Sequence, residues 1–457
     1  MTINGNVSFW YAAEGVPNAR ASLPASTDVD VCIVGAGFTG LWTAYYLKRA
    51  DPSLSVALVE QRFAGYGASG RNGGWLFGGI AGSRERYAKT HGRQAVLDLQ
   101  TAMNASVDEV IQVATTEGID ADIVKGGVLE VAYTPAQLQR LRAFVAAEHA
   151  WDATEHQLIT AGESVSRIAV ANTLGGAFNP NGARIHPAKL VRGLARAVEE
   201  LGVPIYEGTT VTEILPRRAV TSHGVVNAEH VVRATEGFTA GLKGLRRQWL
   251  PMNSSMIVTE PLSEEIWDSI GWTGFETLGD LAHAYCYAQR TADGRIAIGG
   301  RGVPYRFGSK TDNDGSTQPE TVDALRKILV RLFPATADAD IAHAWSGVLG
   351  VPRDWCSTVG LDEETGHAWA GGYVGHGVAT TNLAGRTLCD LLLRRSTELT
   401  RLPWVGRRVR KWEPEPLRWL GVQAMYAAYR TADRHERHGS GGTSPIAVVA
   451  DKISGRG

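Results

Sequence analysis

Six residues near the N-terminus have the types and spacing to hold a phosphate: Gly35-Ala36-Gly37-Phe38-Thr39-Gly40, followed by a lone acid, Glu60, twenty positions after the last glycine. In a G-x-G-x-x-G turn the first glycine makes the tight bend. The second lets a pyrophosphate approach the backbone, and the third lets helix and strand pack closely. A helix that starts there offers unpaired N–H groups and the positive end of its dipole to the anion. A carboxylate about 20 residues on is placed to accept hydrogen bonds from a ribose. The elements this chemistry needs are present. Val29–Val34 is a short apolar run rich in β-branched residues, the pattern of a strand buried on both faces. Leu41, Ala44, Tyr45 and Leu47 recur at helical spacing, and Ser55–Val59 reads as a second strand ending at Glu60. The register predicts a dinucleotide site.

A second glycine cluster, Gly371-Gly372-Tyr373-Val374-Gly375-His376-Gly377, precedes a helical stretch from Val378 to Leu393. Two glycine-gated helix starts suit a ligand with two anionic regions. A flavin that has taken hydride at N5 is negative along its N1–C2=O edge, which a helix N-terminus stabilises, whereas nicotinamide has no such need. Between the two lies Gly65-Tyr66-Gly67-Ala68-Ser69-Gly70-Arg71-Asn72-Gly73-Gly74, a long loop of phosphate-cradling composition directly after Glu60.

Other candidates carry two readings each. His376 is either a helix cap or a group above the ring, in contact with flavin or substrate. Arg71 is a structural ion pair or a flavin contact. Tyr285 and Tyr287 alternate on an expected strand, Ala282–Tyr287, that pairs with Arg295–Gly299 through an Asp293-Gly294 turn; they face a pocket together or pack in the core. Arg301 binds a substrate carboxylate or makes a surface pair. Trp75 and Trp345 wall a pocket or serve as ordinary core. No metal-ligand cluster, G-x-S-x-G or catalytic triad is visible.

The composition excludes several classes. Lys+Arg number 46 against 47 Asp+Glu, so no global field draws the chain to nucleic acid. Four cysteines, Cys32, Cys286, Cys356 and Cys389, form no C-x-x-C pair and read as reduced thiols. No secretory leader and no membrane-length apolar run are apparent, which predicts a cytoplasmic protein.

Taken with VCIVGAGFTGLWTAYYL, GYGASGRNGG, GARIHPAKLVRGLARAVEELGVPIYEGTTVTEI, VVRATEGFT, RTADGRIAIGGRG and GGYVGHGVATTNLAGR, in that order over residues 28–395, the sequence resembles the D-amino-acid-oxidase-like family of FAD-dependent amine and amino-acid oxidoreductases. It is most similar to the γ-glutamylputrescine oxidase branch. The resemblance implies an α/β (α+β overall) fold, with a Rossmann-like FAD-binding domain interleaved with a sheet-based substrate domain. The FAD domain is expected over 28–80, 160–245 and 340–400, and the substrate domain over 81–160 and 246–340. An irregular arm (1–27) precedes them, and a helical, basic tail (401–457) follows. It implies one non-covalent FAD, since no Cys or His matches a flavinylation point and Cys356 sits too late. Contacts would come from Gly35, Gly37, Phe38, Thr39, Gly40, Glu60, Gln61, Arg62, Gly67, Ala68, Ser69, Arg71, Asn72, Gly73, Gly74, Val211, Ala234, Thr235, Gly347, Gly372, Gly375, His376, Gly377 and Val378. The implied reaction is oxidation of a CH–NH bond of a small amine, with electrons passed to O2 or a carrier. A C–O oxidiser and a flavoprotein for tRNA modification or non-catalytic FAD binding are the alternatives. Arg233 and Glu236 depart from the family pattern, occupying positions where relatives carry apolar and small polar residues.

Overall fold

The computed structural model describes residues 2–152, 154–300, 304–311, 314–437 and 442–455. Among them the chain forms two large sheets. At the centre of the first, Thr27–Val34 lies between two parallel neighbours, Val56–Val59 (Val31 beside Val56) and Gly224–Arg233 (Val34 beside Arg233). Ile205–Tyr206 and His367–Gly371 extend the parallel part on its two sides. The apolar run is a strand because both its faces are covered: Val31, Cys32, Ile33 and Val34 are all buried. Helix Phe38–Ala50 packs against this sheet, with helices Arg84–Thr116, Pro187–Glu200 and Gly377–Leu392 in the same apolar core. The 187–200 helix begins at a proline and ends before Gly202, which takes a positive φ, as its punctuation predicts.

The second sheet is mostly antiparallel and has nine strands among the described residues. Within it Leu250–Thr259 is paired on one side with Ile341–Val351 and on the other with Ile296–Gly300. Tyr287–Arg290, Thr277–Asp280, Val128–Ala132 and Gly175–Asn179 follow in order. Helices Glu264–Ile270 and Pro319–Leu332 cover one face.

The strand expected over 282–287 begins only at Tyr287. It pairs with Ile296–Gly300 in the expected antiparallel sense, around a turn at 291–295. The shift has a clear cause. The amides of His283 and Ala284 donate to Asp433, and that of Cys286 donates to Asp280, so these N–H groups bond to carboxylates rather than to a neighbouring strand. Asp433 belongs to the C-terminal helix Leu417–Arg437. On the same helix, Glu436 pairs with Arg140 at 2.8 Å and with His283 at 2.9 Å. His283, Asp433 and Glu436 cluster closely enough to hold a metal, but these bonds make them a latch for the tail.

The arm is not irregular. Ile3–Asn4 adds a parallel strand beside His343–Ala344, and Phe9–Glu14 is a helix. Phe9, Trp10 and Tyr11 are buried, and the Trp10 indole donates to Asn72 O at 2.9 Å. The basic tail also packs against the body of the chain. Arg407 bonds Asp354 at 2.5 Å and lies 4.9 Å from the Tyr87 ring centre. Among the described residues no helix is long and apolar enough to cross a membrane.

Candidate active site

Four strands of the first sheet, Thr27–Val34, Val56–Val59, Gly224–Arg233 and His367–Gly371, run parallel and end on one side. The loops leaving their carboxyl ends meet around one cavity of about 340 Å³. Ligands of open α/β sheets bind at this end because the helices that follow start there. From the first loop come Gly35, Gly37, Phe38 and Thr39, and from the second Glu60, Gln61, Gly67, Ala68, Ser69 and Asn72. Val211 comes from the strand Val211–Leu215, which pairs with Arg218–Thr221, Ala234 and Thr235 from the third loop, and Gly375, Gly377 and Val378 from the last.

The first turn is built as its glycines predict. Gly35 has φ +106°, and a side chain there would meet Ala234 O at 2.7 Å. A side chain at Gly40 would collide with Gly35 O and Ile33, so the third glycine serves close packing and does not line the cavity. Ser69 Oγ accepts from Phe38 N at 2.8 Å, tying the long loop to the start of the helix. Glu60 closes the turn from behind. Its Oε2 accepts from Ala36 N and its Oε1 from Arg62 N, each at 3.0 Å, and burial raises its pKa from the usual carboxylate value.

Several expected contacts brace the site from outside the cavity. Arg71 is 2% exposed. Its Nε donates to Tyr66 O at 2.7 Å, and its guanidinium lies 4.2 Å from the Tyr66 ring centre. Gly347 sits against the Arg71 side chain. Arg62 lies over the outer side of Tyr66, 5.5 Å from the ring centre. Trp345 is fully buried beside Phe9 and Trp10, and its indole donates to Arg71 O at 2.9 Å, so it supports the loop and walls neither this cavity nor the next. Gly73 and Gly74 follow the cavity loop; Gly73 packs against the Tyr287 ring. Trp75 meets that ring edge-on at 6.4 Å, and the Tyr287 hydroxyl is 2.8 Å from Ser254 Oγ. Tyr285 lies in the segment before the strand and does not share a strand face with Tyr287. Arg301 lies outside the described residues.

Glu236 was legible only as a departure, and the fold gives it a task. It lines the cavity, and its two oxygens accept from Gly372 N at 3.0 Å and Tyr373 N at 3.1 Å, so it clamps the second glycine cluster to the end of Gly224–Arg233. Burial pushes its carboxyl up to about 7. Arg233 beside it is buried, with its guanidinium 4.3 Å from the Trp249 ring centre. Tyr66, Thr209, Phe238, Val348 and Leu349 also line the cavity and went unread. Tyr66, Thr209 and Phe238 lie inside the quoted segments but carry no role there, Val348 and Leu349 lie outside them, and only folding brings the five together.

His376 is the residue before helix Gly377–Leu392. It faces a second cavity of about 400 Å³, 6.0 Å from the Phe77 ring centre. The next residues, Gly377 and Val378, line the first cavity.

Two helix N-termini that converge on one cavity beyond the carboxyl ends of parallel strands define a dinucleotide-binding oxidoreductase site. The residues fit FAD: one helix start for the pyrophosphate, a carboxylate at the end of the second strand, and a second helix start for the N1–C2=O edge. The chain belongs to the FAD dependent oxidoreductase family, whose model matches residues 30–391. It is 30% identical over 395 residues to gamma-glutamylputrescine oxidoreductase of Escherichia coli (strain K12), covering 85% of this chain and 89% of that one. It is 28% identical to probable oxidoreductase OrdL of Haemophilus influenzae, covering 80% and 83%. The crystal structure of glycine oxidase from Geobacillus kaustophilus shares the fold, with a TM-score of 0.66 at 22% identity over 83% of this chain and 99% of that one. The protein is therefore an FAD-dependent oxidoreductase.

Proposed function

We propose that this chain oxidises the CH–NH bond of a small amine or amino acid to an imine, which then hydrolyses. The observation that carries the reading is the pair of helix starts on one cavity, with Trp75 and Tyr287 beside the Gly73 end of the loop. The likeness to gamma-glutamylputrescine oxidoreductase supports the substrate class.

When bound, FAD supplies the hydride acceptor and hands electrons on to O2 or a carrier. Gly35, Gly37 and the first turn of Phe38–Ala50 would hold its pyrophosphate, and Glu60 its ribose. The start of Gly377–Leu392 would face the flavin edge. Trp75 and Tyr287 line neither cavity; on this reading their half-buried rings would border the substrate and exclude water, which favours the neutral form of an amine over its ammonium. An amine with a free lone pair needs orientation more than a protein base.

The test is anaerobic flavin bleaching with the purified yellow protein. Primary amines, secondary amines, amino acids and 2-hydroxy acids are compared. Bleaching by an amine or amino acid is expected. Bleaching by hydroxy acids alone would overturn the reading. Acid precipitation should leave a white pellet, because none of the four buried cysteines lines either cavity.

A further inference from the structure

The second cavity has a property the reaction above does not use. It is lined by Phe77, Gly79 and His376, and by Glu130 and Asn179 from the nine-stranded sheet, with His156 also in the lining. Glu130 sits in the strand Val128–Ala132, a run of apolar residues in which Leu129 and Val131 face the helix-covered core. Strand alternation turns Glu130 to the other face, into the cavity. Its Oε2 is sealed from solvent and accepts no hydrogen bond from any described residue. Burial raises its pKa to about 7. Apolar residues of similar size would pack in this strand at no such cost.

Arg84, Glu85, Glu148 and His156, which also line the cavity, have partners. Arg84 grips Glu148 with both terminal nitrogens and also donates to Gln100. Glu85 accepts from Ser83 at 2.6 Å. The His156 ring meets Thr154 at 2.6 Å and Asn179 at 3.3 Å. Four acids, Glu85, Glu130, Glu148 and Glu155, line the cavity against one fixed cation, Arg84, so the potential inside favours a positive charge. The cavity also adjoins the candidate reaction site. Gly279 pairs with Glu130 across the parallel ladder, and a Cβ on Gly279 would touch Trp75 at 3.3 Å and the Glu130 side chain at 3.7 Å. Trp75 in turn meets Tyr287.

We infer that the substrate carries a second, remote cationic nitrogen, and that Glu130 receives it as an ammonium while the first nitrogen is oxidised at the flavin. The substrate class is thus an α,ω-diamine or a polyamine with a free distal amine. The inference rests on the amine reading of the same site. An ammonium in the cavity meets the carboxylate through its other oxygen, since the side chain is only half-buried, and its charge offsets the cost of holding a carboxylate whose Oε2 is sealed and unpartnered.

The test compares short α,ω-diamines with n-alkylamines and with ω-amino acids of matched chain length, in wild type and Glu130→Gln. The diamine should exceed the alkylamine in kcat/KM by at least about tenfold in wild type, the scale of one charge-assisted hydrogen bond. Glu130→Gln should reduce that ratio about tenfold. A second measurement needs no turnover: calorimetric binding of the same ligands to dithionite-reduced holoenzyme, which cannot oxidise them. There too the diamine should bind tighter, and the preference should shrink in the variant. Equal handling of diamine and alkylamine by wild type, or a preference for the ω-amino acid, overturns the inference and leaves the amine reading intact. A panel in which no amine bleaches the flavin overturns the amine reading, and the binding measurement still decides the role of Glu130. If the variant does not fold, the wild-type ratios alone decide.

Discussion

Thr39 Oγ1 and the Tyr373 hydroxyl lie 2.9 Å apart, although 334 residues separate them in the chain. Thr39 is in the first turn of helix Phe38–Ala50, and Tyr373 is in the glycine cluster before helix Gly377–Leu392. Both side chains are buried, and both line the dinucleotide cavity. The bond holds the two helix starts at a set separation, which is the property a ligand with two anionic regions requires.

Tyr373→Phe keeps the ring and deletes the bond, leaving the Thr39 hydroxyl unpaired. The loss of one buried hydrogen bond costs about 1–3 kcal/mol. The melting temperature should fall, and FAD affinity should drop severalfold. Titration of apo-protein with FAD, followed by flavin fluorescence, reads the second effect. Unchanged affinity would show that the two helix starts hold their separation without this bond.

Glu60 is expected to act twice, on the backbone turn at Ala36 and on the ribose. Glu60→Ala strips both, so FAD affinity should fall at least about tenfold, given ~1.5–3 kcal/mol for each bond to a charged group. Glu60→Gln keeps an acceptor oxygen and should lose less. Equal affinities for wild type and the alanine variant, measured by the same titration, would remove Glu60 from the ribose site.

The rate of flavin reduction by an amine should rise with pH along one ionisation, that of the bound substrate. Aliphatic amines have pKa values near that of lysine, ~10.4, and the apolar surface of Trp75 and Tyr287 lowers it. His376→Asn should slow reduction by far less than the ~10²–10⁴ that loss of a general base brings. Stopped-flow reduction between about pH 6 and pH 10 checks both. A thousandfold loss at every pH would make His376 a general base, and a rate that falls as the amine deprotonates would overturn the need for a neutral amine.

Glu130 should also leave a signature in stability. Its carboxyl stands at about 7 in the folded chain against an ordinary 4.5, chiefly from burial; His156 lowers it, while Glu148 and Asp280 raise it. The folded state therefore holds this proton more tightly than the unfolded state. The stability it contributes is complete below about pH 4.5 and is lost as pH rises through about 7. Glu130→Gln removes that dependence. The melting temperature of the variant relative to wild type should thus climb between about pH 5 and pH 8 in thermal scans. A difference that stays flat or falls would show that Glu130 is not held neutral in the fold.

Residues adjacent in sequence were readable without the fold. Gly35, Gly37, Gly40 and Glu60 declare a strand–turn–helix–strand unit because each obeys a local constraint: a backbone angle, a close packing, a chain end. The glycine cluster at 371–377 was legible for the same reason, as were the 187–200 helix between its proline and glycine and the Asp293-Gly294 turn. The start of the strand at Tyr287 was not, because distant carboxylates, Asp433 among them, take the amides before it. The arm reads as irregular in sequence because its helix is short and is ordered by burial under the 67–74 loop rather than by its own propensity. Trp345, Arg71 and Glu236 show the same limit. A tryptophan, an arginine and a glutamate each have several uses, and only the neighbours that folding supplies select one. Glu130 is the extreme case. In sequence it is one charge in an apolar strand, with no motif around it. The sheet decides that it faces a cavity rather than the core, because a strand sends alternate side chains to opposite faces and only the packed helices show which face is closed.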